Sequence, residues 1–235
     1  MIPAAVTAVP LRRQSLVEQT CVRLSDHIRE LSDGDDWLPS ERDLALRLGV
    51  SRPVVREATK RLELQGLLEI QHGRGIKVIH QLQRPLSESL RLDIPDAFQR
   101  LRQLNEVRRI LEPESARLAA LRADGAAVAA LEACHAELSG CEDPEQAARI
   151  DARFHELVAR AAGNDIIALV LSSLGDLGEA SRRLTITQSG LHKVIAHHGG
   201  ILTAIREGKA DKAARLMKLH VEEAAGDLEA SERVP

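Results

Sequence analysis

The segment from Leu38 to Gly75, LPSERDLALRLGVSRPVVREATKRLELQGLLEIQHGRG, constrains the fold more than any other part of this chain. Ser40 is placed to N-cap a helix, with Asp43 three residues later as an acidic capping-box residue. Gly49 is placed to end that helix at its C′ position, and Ser51 is placed to cap a second helix. Two short helices joined by a tight turn predict a helix-turn-helix. The apolar positions predicted for the first helix are Leu44, Leu46 and Leu48.

The predicted second helix has one basic face and one apolar face. Arg52 and Arg56 are four residues apart and therefore share a face, which Lys60 continues. The first turns of a recognition helix meet base edges in the major groove, so this placement predicts contacts with DNA. The alternative is an amphipathic helix whose basic face is merely solvated. The positions predicted to be buried are Val55, Ala58, Thr59 and Leu62.

A β-hairpin with a basic, glycine-rich tip is predicted after Gly66. The runs LLEIQ and IKVI flank the tip His72-Gly73-Arg74-Gly75. Such a wing can lie along a phosphate backbone or enter the minor groove. Helix-turn-helix and hairpin together predict a winged DNA-binding domain.

These blocks resemble the winged helix-turn-helix of the GntR superfamily of bacterial regulators, within its FadR branch. The resemblance rests on LPSERDLA, GVSRPVVREA, L-x-x-x-G-L and QHGRG. It implies DNA contacts from the arginine of the S-E-R block, from two arginines of the recognition helix and from the wing. We count the serine at the start of the recognition helix with them. The predicted DNA-binding residues are Arg42, Ser51, Arg52, Arg56, His72 and Gly73.

Charge is divided unevenly along the chain. Residues 11–84 hold 13 Lys/Arg and 11 Asp/Glu, a net charge of +2, whereas residues 85–235 hold 19 and 24, a net charge of −5. The positive charge thus lies in the segment that would meet phosphates. The predicted organisation is a disordered N-terminus at 1–10, a winged helix-turn-helix domain at 11–80, a linker at 81–95 and a helical metal- and effector-binding domain at 96–230.

The sequence predicts a cytoplasmic protein. It has no run of 18 apolar residues, which predicts no membrane span. Its N-terminus lacks the charged region and the long apolar region of a secretion signal. Three cysteines without CxxC spacing predict reduced thiols rather than disulfides.

From about residue 86 the sequence predicts one helix after another. No segment alternates for long at a period of two, and Gly, Pro and Asn breaks recur at helical intervals. The predicted fold class is therefore mainly α, with an N-terminal winged helix-turn-helix and a C-terminal all-helical bundle of six or seven helices. The predicted helices after the linker are 96–122, 125–139, 144–162, 165–187, 190–207 and 210–228.

Three histidines and one aspartate interrupt the apolar faces of these helices. Asp151 and His155 are four residues apart on one helix, and His198 and His220 lie among apolar residues of two later helices. Buried polar groups need partners, and one divalent ion per subunit, bound by the carboxylate and three imidazoles, would supply them. This donor set suits zinc, with nickel, manganese or iron as alternatives. Taken singly, each histidine could instead be a core histidine that hydrogen-bonds to the backbone. The Asp–His pair could instead form a hydrogen bond on the surface.

Residues 96–228 resemble the FCD domain, the helical effector-binding domain of FadR-branch regulators. The matching pieces are NEVRRILEP, DARFH, AGND, HGGILTAIREG and HV. The resemblance implies that the four residues named above hold a metal and that a carboxylate effector docks there with help from Arg108. The alternative for Arg108 is a surface pair with Glu112. A metal set of this kind implies a small organic acid, such as a hydroxy acid or a sugar acid.

The two resemblances together imply a DNA-binding transcriptional regulator that is not an enzyme. A homodimer would place two recognition helices on a pseudo-palindromic operator, and the acid would relieve repression. Two alternatives stay open. The metal itself could be the signal, or the Asp-His₃ site could activate water in a metalloenzyme joined to a DNA-binding module.

Overall fold

The computed structural model describes residues 15–31, 37–79, 81–175 and 177–232. The chain divides into two compact units, Met1–Pro85 and Leu86–Pro235. The segment 1–10, predicted to be disordered, lies outside the described residues. None of the described helices combines the length and the apolar character needed to cross a lipid bilayer.

The N-terminal unit consists of three helices and a small sheet. The central strand of the sheet is β3, which is antiparallel to β1 on one side and to β2 on the other. A capping box between Ser15 and Glu18, which we did not predict, begins α1. The elements in order are α1 (Leu16–Glu30), β1 (Trp37–Leu38), α2 (Glu41–Leu48), α3 (Arg52–Leu64), β2 (Leu68–Gln71) and β3 (Gly75–Val78).

The ends of α2 largely follow the predicted capping chemistry. The Ser40 hydroxyl accepts a hydrogen bond from the Asp43 N–H at 3.2 Å, but the Asp43 carboxylate accepts from the Ser40 hydroxyl rather than from its N–H, so the capping box is incomplete. Gly49 ends the helix in the left-handed region, with φ of 66°. The prediction that Leu46 lies on the apolar face of α2 is wrong, because its side chain is 77% exposed. Ala45 is buried instead, as the 3.6-residue helical period requires.

Helix α3 has the buried face that its sequence predicts. Its four predicted core positions are all buried, and the helix packs against α1, whose Leu24 and Ile28 belong to the same core. The wing is confirmed as the hairpin of β2 and β3, and Gly73 at its tip has a φ of 78°. The winged helix-turn-helix therefore places the basic face of α3 on the outside of this unit.

The C-terminal unit is all-helical among its described residues. Helix α5 packs along α11 and also contacts α7. Fully buried alanines let these helices approach closely: Ala116, Ala119, Ala147, Ala204 and Ala213. The helices are α4 (Arg84–Asp93, which spans the boundary between the units), α5 (Ala97–Arg122), α6 (Gly125–Ser139), α7 (Pro144–Ala161), α8 (Asp165–Gly175), α9 (Glu179–Ser189), α10 (Leu191–Arg206) and α11 (Ala210–Glu232).

Two stretches of this unit differ from the predicted helices. The predicted linker 81–95 contains α4, whose buried Ser87 donates a hydrogen bond to the Ser173 carbonyl of α8. The predicted helix 165–187 is wrong, because the structure has α8 and α9 there as separate helices. Gly175 and Gly178 stand at the break, and glycine weakens a helix by about 1 kcal/mol relative to alanine. From α5 onward, seven helices are described, within the predicted number.

Candidate metal centre and nucleic-acid interface

The predicted DNA-binding residues all have exposed side chains or backbone. Arg52 and Arg56 lie in the first turns of α3, and Arg42 lies in the first turn of α2. His72 and Gly73 form the tip of the wing. All of these groups belong to the N-terminal unit, and none is used to build its core.

Arg56 is held by a carboxylate that we did not predict. Its Nε lies 3.1 Å from both carboxylate oxygens of Glu41, and its Nη2 lies 2.8 Å from Oε2. The hydrogen bond from Arg56 lowers the pKa of Glu41. Glu41 belongs to the S-E-R block, so α2 restrains the orientation of a predicted base-reading arginine on α3.

Ser51 begins α3 through its backbone alone. Its carbonyl accepts the N–H groups of Val54 and Val55, but its hydroxyl makes no cap hydrogen bond, so the predicted side-chain cap is wrong. The exposed hydroxyl stands at the N-terminus of the recognition helix. A helix N-terminus attracts anions because its first N–H groups lack helical partners.

The four predicted metal ligands meet at one buried point in the C-terminal unit. Asp151 and His155 come from α7, His198 from α10 and His220 from α11. Each residue offers one ligand atom, and these four atoms all lie within 4.8 Å of one another. The side chains are at most 5% exposed. Periodicity alone had placed these residues on inward faces, and the packing of three helices brings them together.

The ring nitrogens converge, and those of His198 are left without a hydrogen-bond partner among the described residues. His155 Nε2 lies 3.1 Å from His220 Nε2, and His198 Nε2 lies 3.2 Å from Asp151 Oδ1. The His198 ring is stacked on Phe154, with centroids 4.0 Å apart. The donor set therefore fits a divalent ion, which would occupy the nitrogen lone pairs that the protein leaves without partners.

Two arginines and a second carboxylate surround the ligands. Arg108 donates to Glu112 through Nε at 2.7 Å, and this ion pair is buried rather than on the surface. The other oxygen of Glu112 lies 2.8 Å from His155 Nδ1, where a carboxylate can orient a ligand imidazole. Arg182, from α9, places Nε 3.0 Å from Asp151 Oδ2. Arg182 was missed because we predicted no separate α9.

The electrostatics of this cluster prepare the ligands for a metal. Burial opposes the ionised forms of Glu112 and Asp151, but the adjacent guanidinium and imidazole groups outweigh it and hold both carboxyl pKa values below their usual range. Burial lowers the pKa of His198, and it lowers that of His220 strongly. At neutral pH the site therefore offers two charged carboxylates and the neutral imidazoles of His198 and His220, which are the protonation states that metal binding requires.

A small cavity adjoins the cluster on the side of α9. It measures about 10 Å³, which is close to the space that one water molecule needs. Its walls combine the two arginines with a threonine hydroxyl, two ligand side chains and an apolar remainder. The lining residues are Arg108, Asp151, Arg182, Thr185, Ile186, Val194, His220 and Ala224.

Fold and site together define a class of protein: a winged-helix DNA-binding unit followed by a helical unit with a candidate metal centre. Comparison with known families agrees. Residues 16–78 match the family described as bacterial regulatory proteins, gntR family, and residues 103–223 match the FCD domain. The chain belongs to the GntR family of bacterial regulators and has a C-terminal FCD domain. Family membership also confirms the prediction that the chain is a regulator and not an enzyme.

Several relatives and one solved structure resemble this chain over most of their length. A protein of Escherichia coli (strain K12), named as a regulator of the L-lactate dehydrogenase operon, is 30% identical over 217 residues, which cover 84% of this chain and 82% of the relative. The Uxu operon regulator of Haemophilus influenzae is 28% identical over 226 residues, with coverage of 89% and 82%. The solved structure of Streptococcus agalactiae GntR superposes with a TM-score of 0.72 at 28% identity and covers 89% of this chain and 99% of that one.

Proposed function

We propose that this regulator is a cytoplasmic homodimeric repressor whose affinity for a pseudo-palindromic DNA operator is controlled by a small organic acid. The acid binds at a metal ion in the FCD domain, one ion per subunit. The observation that supports this proposal most directly is the buried convergence of four ligand atoms within 4.8 Å of one another. Zinc is the proposed ion, because three imidazoles and one carboxylate suit it. The proposed ligands are Asp151, His155, His198 and His220.

On the DNA side, the exposed arginines of α3 are the proposed base readers. Arg52 and Arg56 would contact guanines in the major groove, and each good contact contributes about 1–3 kcal/mol of discrimination. Arg42 and the wing residues His72 and Gly73 would contact the backbone and set the register. A pseudo-palindromic operator presents its two half-sites in successive major grooves, and each half-site needs its own recognition helix, so we propose that the protein binds as a dimer.

On the effector side, two buried guanidinium groups beside the candidate metal favour an anionic ligand. Arg108 lines the cavity, and a guanidinium suits a carboxylate because it offers a planar fork of donors. The name of one relative is consistent with control by an acid, because it refers to the L-lactate dehydrogenase operon and lactate is a hydroxy acid. The Salmonella newport relative, 28% identical over 225 residues, is named an HTH-type transcriptional repressor.

The test measures operator binding with the metal and the acid varied independently. An operator is selected from random duplexes with the full-length protein, and its Kd is measured by fluorescence anisotropy. Zinc-loaded and chelated protein are compared, each with L-lactate, D-gluconate or D-glucuronate. We expect one acid to weaken operator binding by about 5- to 150-fold, the usual range of allosteric coupling, and only in the zinc-loaded protein.

Other outcomes discriminate between the proposals. Operator affinity that follows zinc occupancy without any acid would identify a metal sensor. Binding of an acid to the FCD domain with no change in operator affinity would contradict effector control. An acid effect that survives chelation would contradict the role of the metal.

A further inference from the structure

Helix α9 turns a polar face toward the interior of the helical unit. Ser181, Arg182 and Thr185 are 1%, 6% and 8% exposed, and Ile186 beside them is also buried. Positions 181 and 185 are four residues apart, so their hydroxyls share a face of the helix. Thr185 and Arg182 line the cavity beside the candidate metal centre. An inward face of a helical bundle is usually apolar, so this face requires an explanation.

The hydroxyls of Ser181 and Thr185 have no hydrogen-bond partner among the described residues. Several helical hydroxyls of the same molecule, in contrast, donate to the carbonyl four residues earlier. Thr187, on the same helix, does so at 2.8 Å. A buried hydroxyl without a partner costs about 1–3 kcal/mol. Other hydroxyls that make this bond are those of Thr20, Ser115, Ser139, Ser173 and Thr203.

Arg182 has donors to spare, unlike the other buried arginine. Arg108 donates to Glu112 from Nε and Nη2, whereas Arg182 donates from Nη1 to the Gly175 carbonyl at 3.1 Å, its one hydrogen bond among the described residues. Its Nε forms an ion pair with Asp151 Oδ2 at 3.0 Å, and this N–H has no hydrogen-bond partner among the described residues. Gly178 makes room for this guanidinium, because a Cβ there would lie 2.5 Å from Nη1.

We propose that α9 is the recognition helix for the effector, which is a hydroxylated carboxylate. Arg182 binds the carboxylate, and Ser181 and Thr185 bind the hydroxyl groups. This inference rests on the proposed acid control and adds the side chains of α9 that bind the acid. The cavity holds about one water molecule, so entry of an acid displaces α9 from its neighbours.

The experiment compares acids that differ only in their hydroxyls. Binding of D-gluconate and of hexanoate, both six-carbon carboxylates, to the zinc-loaded full-length protein is measured by titration calorimetry. The variants are Thr185→Val, which removes the hydroxyl and keeps the shape, and Ser181→Ala. The matched control is Thr187→Val, whose exposed hydroxyl already has a partner. A second pair, L-lactate and propionate, extends the comparison to three-carbon acids.

We expect wild-type protein to bind the hydroxylated member of at least one pair more tightly. Thr185→Val weakens that binding about five- to tenfold, as loss of a hydrogen bond does, and leaves the zinc content and the affinity for the unsubstituted acid unchanged. Thr187→Val changes none of these. Equal effects on both members of a pair, or no effect, would overturn the inference while leaving acid control intact. If zinc-loaded wild-type protein binds none of the acids, the proposed function fails and the inference fails with it.

Discussion

His198→Ala is the substitution that tests the candidate metal centre most directly, because its effects on packing and on metal binding can be separated. The His198 ring is fully buried and stacked on Phe154. Removing a large buried side chain costs about 2–4 kcal/mol in packing, and the lost ring stacking is about 0.5–1.5 kcal/mol of it. These losses occur with or without metal.

The metal contribution follows from mass action. Metal at a free concentration of 100 times its Kd stabilises the fold by about 2.7 kcal/mol. For a unit of this size, 1 kcal/mol corresponds to about 2–4 °C in Tm, so chelation should lower the wild-type Tm by roughly 5–11 °C. In His198→Ala the chelation shift should fall below about 2 °C, because the ion loses one of its four protein ligands.

The assay is a thermal melt of each protein before and after chelation, with metal content measured by mass spectrometry. His192→Ala is the matched control, since it removes an exposed histidine from the same helix, α10. If the alanine variant fails to fold, His198→Gln keeps the volume and a polar group at the same position. A variant that retains both the full chelation shift and one metal per chain would refute the assignment of His198 as a ligand.

Three further predictions follow from other parts of the molecule. Arg56→Gln should weaken operator binding at least tenfold and leave stability nearly unchanged, because its ion pair is exposed. Arg29→Gln, at another exposed pair, is the control in the anisotropy assay. Gly66→Ala should destabilise the N-terminal unit by at least about 1–3 kcal/mol, because φ is +76° and a Cβ would overlap a backbone carbonyl. Denaturant melts measure this loss, and an unchanged metal content would show that the helical unit is intact. The chelated protein should lose stability as pH falls from 7.5 to 5.5. Burial lowers the pKa of His198 and His220 below their values in the unfolded chain, so the unfolded chain binds more protons in this range than the folded protein does. A Tm that is constant from pH 7.5 to 5.5 would contradict this prediction.

Periodicity in the sequence predicted those parts of the fold in which one face of a helix is apolar. The buried face of α3 was predicted residue by residue, because it packs within a short contiguous domain. The four candidate ligands were found because charged or titratable side chains on apolar faces are costly and therefore conspicuous. Neither inference required knowledge of how distant helices pack.

The parts that were missed depend on contacts between elements far apart in sequence. Glu41 is an ordinary first-turn carboxylate until α3 brings Arg56 against it. Arg182 lies in a segment where Gly175 and Gly178 divide one predicted helix into two, and glycine spacing alone does not determine whether a helix bends, continues or ends. Its proximity to Asp151 appears only when α9 packs on α7.

The charges at the site connect the metal with the nature of the effector. Among the described residues of the helical unit, the buried charged side chains all belong to one network: two guanidiniums, Arg108 and Arg182, and two carboxylates, Glu112 and Asp151. With the imidazoles neutral, this network has no net charge. A divalent ion bound there adds two buried positive charges, which the protein offers no further buried anion to offset. An anionic ligand restores the balance, so a carboxylate is favoured once the metal is present and is favoured less after chelation. The neutral analogue of an effective acid, such as its amide, should therefore bind the zinc-loaded protein far more weakly, and equal binding of acid and amide would show that charge balance does not determine the choice of effector.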